Sequence, residues 1–185
     1  MSFFNSDLTA LLEAVDRSQG RIEFSPDGEI LFANENFLTL VGYTMPEIQG
    51  QHHSLFVAPD ERVSAAYEAF WTNLRKGKFQ SREFKRFGKD GRVIWIQASY
   101  NPVRDRRGRT IKVVKIASDI TEQKLRSARA EGQIAAINRS QAVIHFTLDG
   151  TITDANPNFL TTVGYNLPEI VGQHHNIFLT PAAHD

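Results

Sequence analysis

Apolar and polar residues alternate with two different periods along this chain, and each change of period marks an element. Near the start, Leu8, Leu11, Leu12 and Val15 recur at helical spacing, with Asn5 or Ser6 placed to cap an amphipathic helix. In "RIEFSPDGEILFAN" the period drops to two around Asp27-Gly28, which predicts a pair of antiparallel strands joined by a tight turn. Phe37, Leu38 and Val41 then suit a short helix that stops at Gly42, and "MPEI" suits a further turn opened by Pro46. "PDERVSAAYEAFWTNLRKG" reads as one longer helix, opened by Pro59, with Asp60 and Glu61 in its first turn, Lys76 in its last and Gly77 as its stop. Its expected inner face is Val63, Ala66, Tyr67, Phe70 and Leu74.

Period two returns in "KFQSREFKRF", "RVIWIQASYNPV" and "RTIKVVKIASDI", separated by the turn sequences "GKDG" and "RDRRG", and this predicts a meander of antiparallel strands. "DITEQKLRSARAEGQIAAINRSQ" is rich in helix formers, and Asp119 with Glu122 matches a capping box, so it reads as a connecting helix. Leu125, Ala128, Ala135 and Asn138 give it only a weak seam, interrupted by Gly132. Two strands, several short helices and then three strands describe an α+β domain: a five-stranded antiparallel sheet with short helices on one face, enclosing a cavity or a filled core.

A repeat fixes the larger organisation. Shifted by 122 positions, the segment Arg17 to Phe56 falls on Arg139 to Phe178 with 25 of 40 residues identical, including "GQHHSLF" against "GQHHNIF". The expected division is an N-terminal helix over 1–17, a complete domain over 18–121, a connecting helix over 122–138 and a truncated second copy over 139–185. A fragment of that size buries too little apolar surface to stand alone.

Composition narrows the partners. Twenty-one Lys and Arg balance 21 Asp and Glu, so no global field steers the chain to nucleic acid or to an anionic membrane. The absence of cysteine excludes disulfides, thiolate metal sites and thiol photochemistry. No apolar run reaches the roughly 18 residues of a membrane span, and an N-terminus with acidic residues and no basic cluster does not read as a signal peptide. The expected location is the cytoplasm. Nothing couples a nucleophile to a base in a recognisable motif, so the expected protein is not an enzyme. The basic set Lys76, Lys78, Arg82, Lys85, Arg86, Lys89 and Arg92 reads as a solvated face, because Glu83 and Asp90 interrupt it.

"DGEILFANENFLTLVGYTMPEIQG", the helix after it and "GKDGRVIWIQASYNPVRDRRGRTIKVVKIASDITEQ" resemble a PAS sensory domain, with that family's N-x-x-F-x-x-x-x-G-Y and D-I-T patterns. More narrowly, "FWTNLRKGKFQSREFKRFGKDGRVIWIQASYNPV" and the paired "GQHH" resemble the tandem PAS regions of soluble methyl-accepting chemotaxis proteins, including the biofilm-dispersion type. The resemblance implies a sensory input module of the chemotaxis, aerotaxis or biofilm type. Such a module senses a small molecule or redox state and relays it through Asp119, Ile120 and Thr121 into the connecting helix. A homodimer and a downstream chemotaxis-type signalling domain are the implied partners. The region is also similar to flavin-binding aerotaxis receptors, in which a histidine followed by a polar residue precedes a long helix bearing a tryptophan, positions that fall on His53 and Trp71, whereas Val57 and Ala58 replace a basic pair.

Adjacent side chains point in different directions, so at most one of His52 and His53 ligates a haem or touches a flavin, and the other faces water. His53, Trp71 and Asn34 are therefore the candidate cofactor contacts, with His53 the only candidate iron ligand. FAD, haem and no cofactor all stay open. The rival function is a cofactor-free PAS interaction module, dimerising through sheet and N-terminal helix, with its interior filled by Phe24, Phe37 and Phe56.

Overall fold

The structure is a computed structural model that describes residue 10 and residues 12–179. Asn5, Ser6, Leu8 and Leu11, the expected cap and part of the stripe of the first helix, lie outside the described residues. Residues 12–18 are helical (α1). The chain divides into two compact units, Met1–Lys124 and Leu125–Asp185.

In the first unit, β1 (Gly20–Phe24), β2 (Ile30–Ala33), β3 (Gln80–Phe87), β4 (Val93–Arg104) and β5 (Thr110–Asp119) form one sheet in the order β2-β1-β5-β4-β3. Every pairing is antiparallel. The meander β3-β4-β5 is the one expected from its alternating pattern; β1 closes it by pairing with β5, with Ile22 opposite Lys115. The expected fold class is the observed one.

Between β2 and β3 run α2 (Glu35–Val41), α3 (Met45–Ile48), a 3-10 turn (His53–Phe56), α4 (Pro59–Arg62) and α5 (Ala65–Arg75). The single helix expected from Pro59 to Gly77 is in fact two. Ser64 breaks it: its hydroxyl accepts from Tyr67 N–H as the N-cap of α5, an alternative hydrogen-bonding geometry that serine offers the backbone. In consequence Val63 is 87% exposed and Ala66 also faces solvent, while Tyr67, Phe70, Trp71 and Leu74 of α5 are buried on the sheet. The core cluster joins these four to Ile22, Phe24, Phe37, Ile48, Phe56, Ile96 and Tyr100, so the interior is filled by aromatic rings.

Asn34 shows how the sequence sets the entry to α2. Its Oδ1 accepts from Arg21 N–H (2.9 Å) and Phe37 N–H (3.0 Å), and its Nδ2 donates to Asp16 Oδ1 (2.8 Å) and the Gln19 carbonyl (2.9 Å). One side chain thus caps α2 and stitches β1 to the end of α1. At the other end, Gly42 adopts a left-handed conformation and its N–H bonds to the Leu38 carbonyl.

In the second unit, β6 (Ile144–Phe146) pairs with β7 (Ile152–Ala155), followed by α7 (Pro157–Val163), α8 (Leu167–Ile170) and a 3-10 turn (His175–Phe178). Asn156 repeats the role of Asn34, accepting from Val143 and Phe159 N–H groups and donating to the Asn138 and Gln141 carbonyls. Its core is small, with Ile152, Ala155 and Ile170 buried. α6 (Thr121–Ser140) buries no residue along its length. The expected capping box at its start takes another form: Asp119 accepts from Thr121 N–H (2.8 Å), with Thr121 already the first helical residue. No helix among the described residues is long and apolar enough to cross a membrane.

The turn at Gly28 yields a stability prediction. Gly28 has φ +90°, and a Cβ there would lie 2.5 Å from His52 Nε2 and 3.0 Å from the Trp71 ring. Gly28→Ala is expected to destabilise the protein by about 2 kcal/mol or more, combining backbone strain with displacement of the packed Trp71. Urea unfolding measures this, and a change within about 0.5 kcal/mol of wild type contradicts it.

Candidate functional site

Three elements converge on His53. The 3-10 turn carries it, α5 supplies Tyr67, Phe70 and Trp71, and the inward row of β4 supplies Tyr100. His53 is fully buried. Its Nδ1 lies 2.7 Å from the Tyr67 hydroxyl and its Nε2 lies 2.9 Å from the Tyr100 hydroxyl. A neutral imidazole has one donor and one acceptor nitrogen, so one tyrosine donates to it and the other accepts from it. Burial, and secondarily the nearby positive charges of Arg86 and Lys115, hold its pKa well below the usual histidine range. Burial likewise pushes the Tyr67 phenol up to about 12, against a smaller lowering by the Trp71 indole, and raises Tyr100. The network is therefore neutral across physiological pH.

Aromatic rings enclose it. Phe24, Tyr67, Trp71 and Tyr100 have ring centroids 5.3, 5.8, 5.4 and 5.6 Å from that of His53. Trp71 meets Phe24, His53 and Phe70 edge to face. Its indole N–H is buried beside the Tyr67 hydroxyl without forming a well-aligned hydrogen bond. Outside this cage a cleft of about 370 Å³ is lined by Asp27, His52, Ser64, Tyr67, Trp71 and Arg75, among others. Tyr67 and Trp71, two of the residues packed on His53, thus also line the cleft.

The structure separates the sequence-predicted site residues. It brings His53 and Trp71 into one cage, while Asn34 spends all four of its hydrogen-bonding positions on backbone and Asp16. His52 faces solvent, as expected of one member of the pair. Its Nδ1 accepts from Ser54 N–H and its Nε2 lies 3.1 Å from the Asp27 carbonyl, which caps the 3-10 turn and ties it to the β1-β2 hairpin. Haem does not fit His53 in this packing, because both ring nitrogens are engaged and four rings fill the surrounding volume. An isoalloxazine beside Trp71 would need the space that Phe24, Phe70 and His53 occupy, so the packed interior does not fit that group either. Among the described residues no group of three or more His, Cys, Asp or Glu side chains is placed to hold a metal ion.

Tyr100, Lys115 and Arg86 were not among the sequence candidates, although they touch or surround this network. Arg86, expected on the solvated basic face, is only 3% exposed and stands over the Phe84 ring. Alternation carried the signal: Phe84 and Arg86 share an inward register on β3, as do Val113, Lys115 and Ala117 on β5.

The candidate relay residues lie at the exit from the sheet. Ile120 N–H donates to the Trp95 carbonyl (2.9 Å) and Trp95 N–H donates to Thr121 Oγ1 (2.9 Å), which hydrogen-bonds the start of α6 to strand β4. One turn on, Lys124 pairs with Glu83 at 2.5 Å and lies over the Trp95 ring.

A sheet in this order, with short helices packed on one face, defines an α+β domain of the PAS type. Two family models match the chain, one described as PAS fold over residues 30–117 and one as PAS domain over residues 140–185, and the chain belongs to the PAS family. It is 44% identical over 174 residues, 94% of its length, to the biofilm dispersion protein BdlA of Pseudomonas aeruginosa, covering 42% of that protein. It is 32% identical to the aerotaxis receptor of Escherichia coli over 63% of the chain and 22% of the receptor. The chain thus spans less than half the length of these relatives. The fold is similar to a PAS domain from Colwellia psychrerythraea (TM-score 0.56, 21% identity, 62% of this chain and 98% of that one). It is also similar to a light-oxygen-voltage domain studied with a flavin analogue (TM-score 0.53, 22% identity, 68% and 96%).

Two measurements follow from the cage. The unfolded chain binds a proton at His53 below about pH 6.5 whereas the folded chain does not, so stability falls as pH drops below that value, by up to about 1.4 kcal/mol per unit for this group. His53→Phe is expected to flatten the slope of unfolding free energy between about pH 6.5 and 5, and an unchanged slope contradicts the assignment. The purified protein is expected to show neither flavin bands nor a Soret band; either one would overturn the filled interior.

Proposed function

We propose that residues 18–121 are a complete PAS sensory input domain, preceded by an N-terminal segment over 1–17, followed by a connecting helix over 122–138 and by a partial second copy over 139–185. In this reading the cage of His53 and Trp71 is the sensing site, and Asp119, Ile120 and Thr121 are the relay. The observation that carries it is the continuous contact from His53 through Tyr100 along β4 to Trp95, whose N–H and carbonyl hold the first residues of α6. A small molecule entering at the Tyr67–Trp71 cleft must part rings packed on His53, which is itself hydrogen-bonded to Tyr100 of β4. Binding therefore discriminates between two packings of the same strand, which is what a ligand needs in order to shift an equilibrium. The protein is non-catalytic and cytoplasmic in this reading. Its output is a chemotaxis-type signalling domain or protein, and it acts as a homodimer.

A second reading is favoured by the filled interior and by the exposure of Leu31, Phe32 and Ile111 on the sheet strands: a ligand-free PAS module whose task is dimerisation. Hydrogen exchange separates the two. If the cage communicates with α6, His53→Phe should speed amide exchange of residues 119–124 by about tenfold, since local opening there is set by contacts to β4. Unchanged exchange in a folded, dimeric variant would leave only the dimerisation module.

A further inference from the structure

Two cationic side chains project into this core without adequate partners. Lys115 is fully buried, its Nζ has no hydrogen-bond partner among the described residues, and it stands over the rings of Phe37 and Tyr100, with Nζ 5.1 and 5.0 Å from their centroids. Across the sheet it is flanked by Ile22 and Tyr100, neither of which carries charge. Arg86 is buried against Phe84. Its Nε is unpartnered, and its Nη1 reaches the Lys85 carbonyl at 2.7 Å and the partly exposed Glu61 at only 3.5 Å. Burial, and secondarily the positive charge of Arg86, holds the Lys115 amine well below the usual lysine range, and among the described residues no carboxylate answers it.

An isolated ammonium in such surroundings costs several kcal/mol unless it meets an anion or sheds its proton. Ring faces recover only a part of this, on the order of 2 kcal/mol when desolvated. A core of this composition would ordinarily place leucine or methionine at position 115, and buried unsatisfied polar groups in native proteins call for a missing partner.

We propose that the inner face of the sheet binds a small organic monocarboxylate, its carboxylate between Lys115 and Arg86 and its apolar body among Phe37, Phe84 and Tyr100. A carboxylate supplies the negative charge that Lys115 does not find and that Arg86 meets only at the 3.5 Å edge of Glu61, and it matches the planar fork of arginine. The apolar walls select an acid with a hydrocarbon or aromatic body over a fully hydrated anion such as phosphate. The proposal rests on the sensing role above and names the chemical class sensed. Seating the acid requires Phe37 and Tyr100 to part, and Tyr100 is the residue that hydrogen-bonds His53.

The test is thermal unfolding of the full chain at pH 7 and constant ionic strength, titrated with sodium benzoate and sodium acetate against sodium chloride and sodium phosphate. The expected result is a saturable rise in midpoint with one of the two carboxylates, roughly 5–10 °C at a hundredfold excess over the dissociation constant. Lys115→Met should abolish the rise. Should that variant fail to fold, Arg86→Gln makes the same comparison and is expected to reduce the rise at least by half. No rise in wild type beyond that in chloride, a rise with phosphate alone, or an undiminished rise in the folded variant overturns the proposal. A carboxylate-dependent midpoint with no accompanying change in exchange of residues 119–124 would keep the binding site and remove its sensing role. Amide exchange measured beside the thermal titration thus tells the two failures apart.

Discussion

The imidazole of His53 is the fixed point around which the first unit is assembled. Its two nitrogens face hydroxyls from opposite sides, Tyr67 on α5 and Tyr100 on β4, so one side chain joins the helical layer to the sheet inside a volume closed to water. A hydrogen bond in that setting is stronger than at the surface, and an unmade one is costlier, so the three groups hold or fail together. The packing follows from this. Phe24, Phe70 and Trp71 lie where they seal the network, and the 3-10 turn that carries His53 is itself fastened to the β1-β2 hairpin through His52.

Much of this architecture is written locally. Each strand of the sheet follows from period-two alternation, and the start of α2 from the several hydrogen bonds available to Asn34. The break between α4 and α5 was harder to see, because Ser64 and Val63 interrupt a continuous helical pattern only through a hydroxyl that prefers a backbone N–H. His53 and Trp71 were legible as candidates. Their partners Tyr67 and Tyr100 lie 14 and 47 positions from His53, and nothing short of the sheet register brings them together. Lys115 and Arg86 were overlooked for a different reason. Charged residues in strands are usually assigned to the wet face, yet here strict alternation places both inward, and the apolar neighbours Val113, Ala117 and Phe84 gave that register away.

The duplicated segment works as an internal control on the role of environment. His175 corresponds to His53 and Phe146 to Phe24, but His175 is exposed and Phe146 is 50% exposed. The local devices are nevertheless preserved: the asparagine cap, the left-handed glycine after the short helix, and the 3-10 turn opened by a histidine whose Nδ1 accepts from a backbone N–H. Turn chemistry is therefore specified by the nearby residues alone. Burial of the second histidine depends on α5 and β4, elements with no counterpart among the described residues of the second unit.

The hairpin tip explains why two histidines travel with a glycine in both copies. Gly28 lies against His52 and Trp71, and Gly150 lies against His174 and His175, each with a left-handed backbone and no space for a methyl group. Drift at either site is consequently epistatic. A lineage that acquires a side chain at the hairpin must first trade the capping imidazole for something smaller, and it then forfeits the strap to the 3-10 turn. Covariation between positions 28 and 52, and separately between 150 and 174, is the evolutionary signature this geometry imposes, and it should persist in relatives whose interiors have diverged.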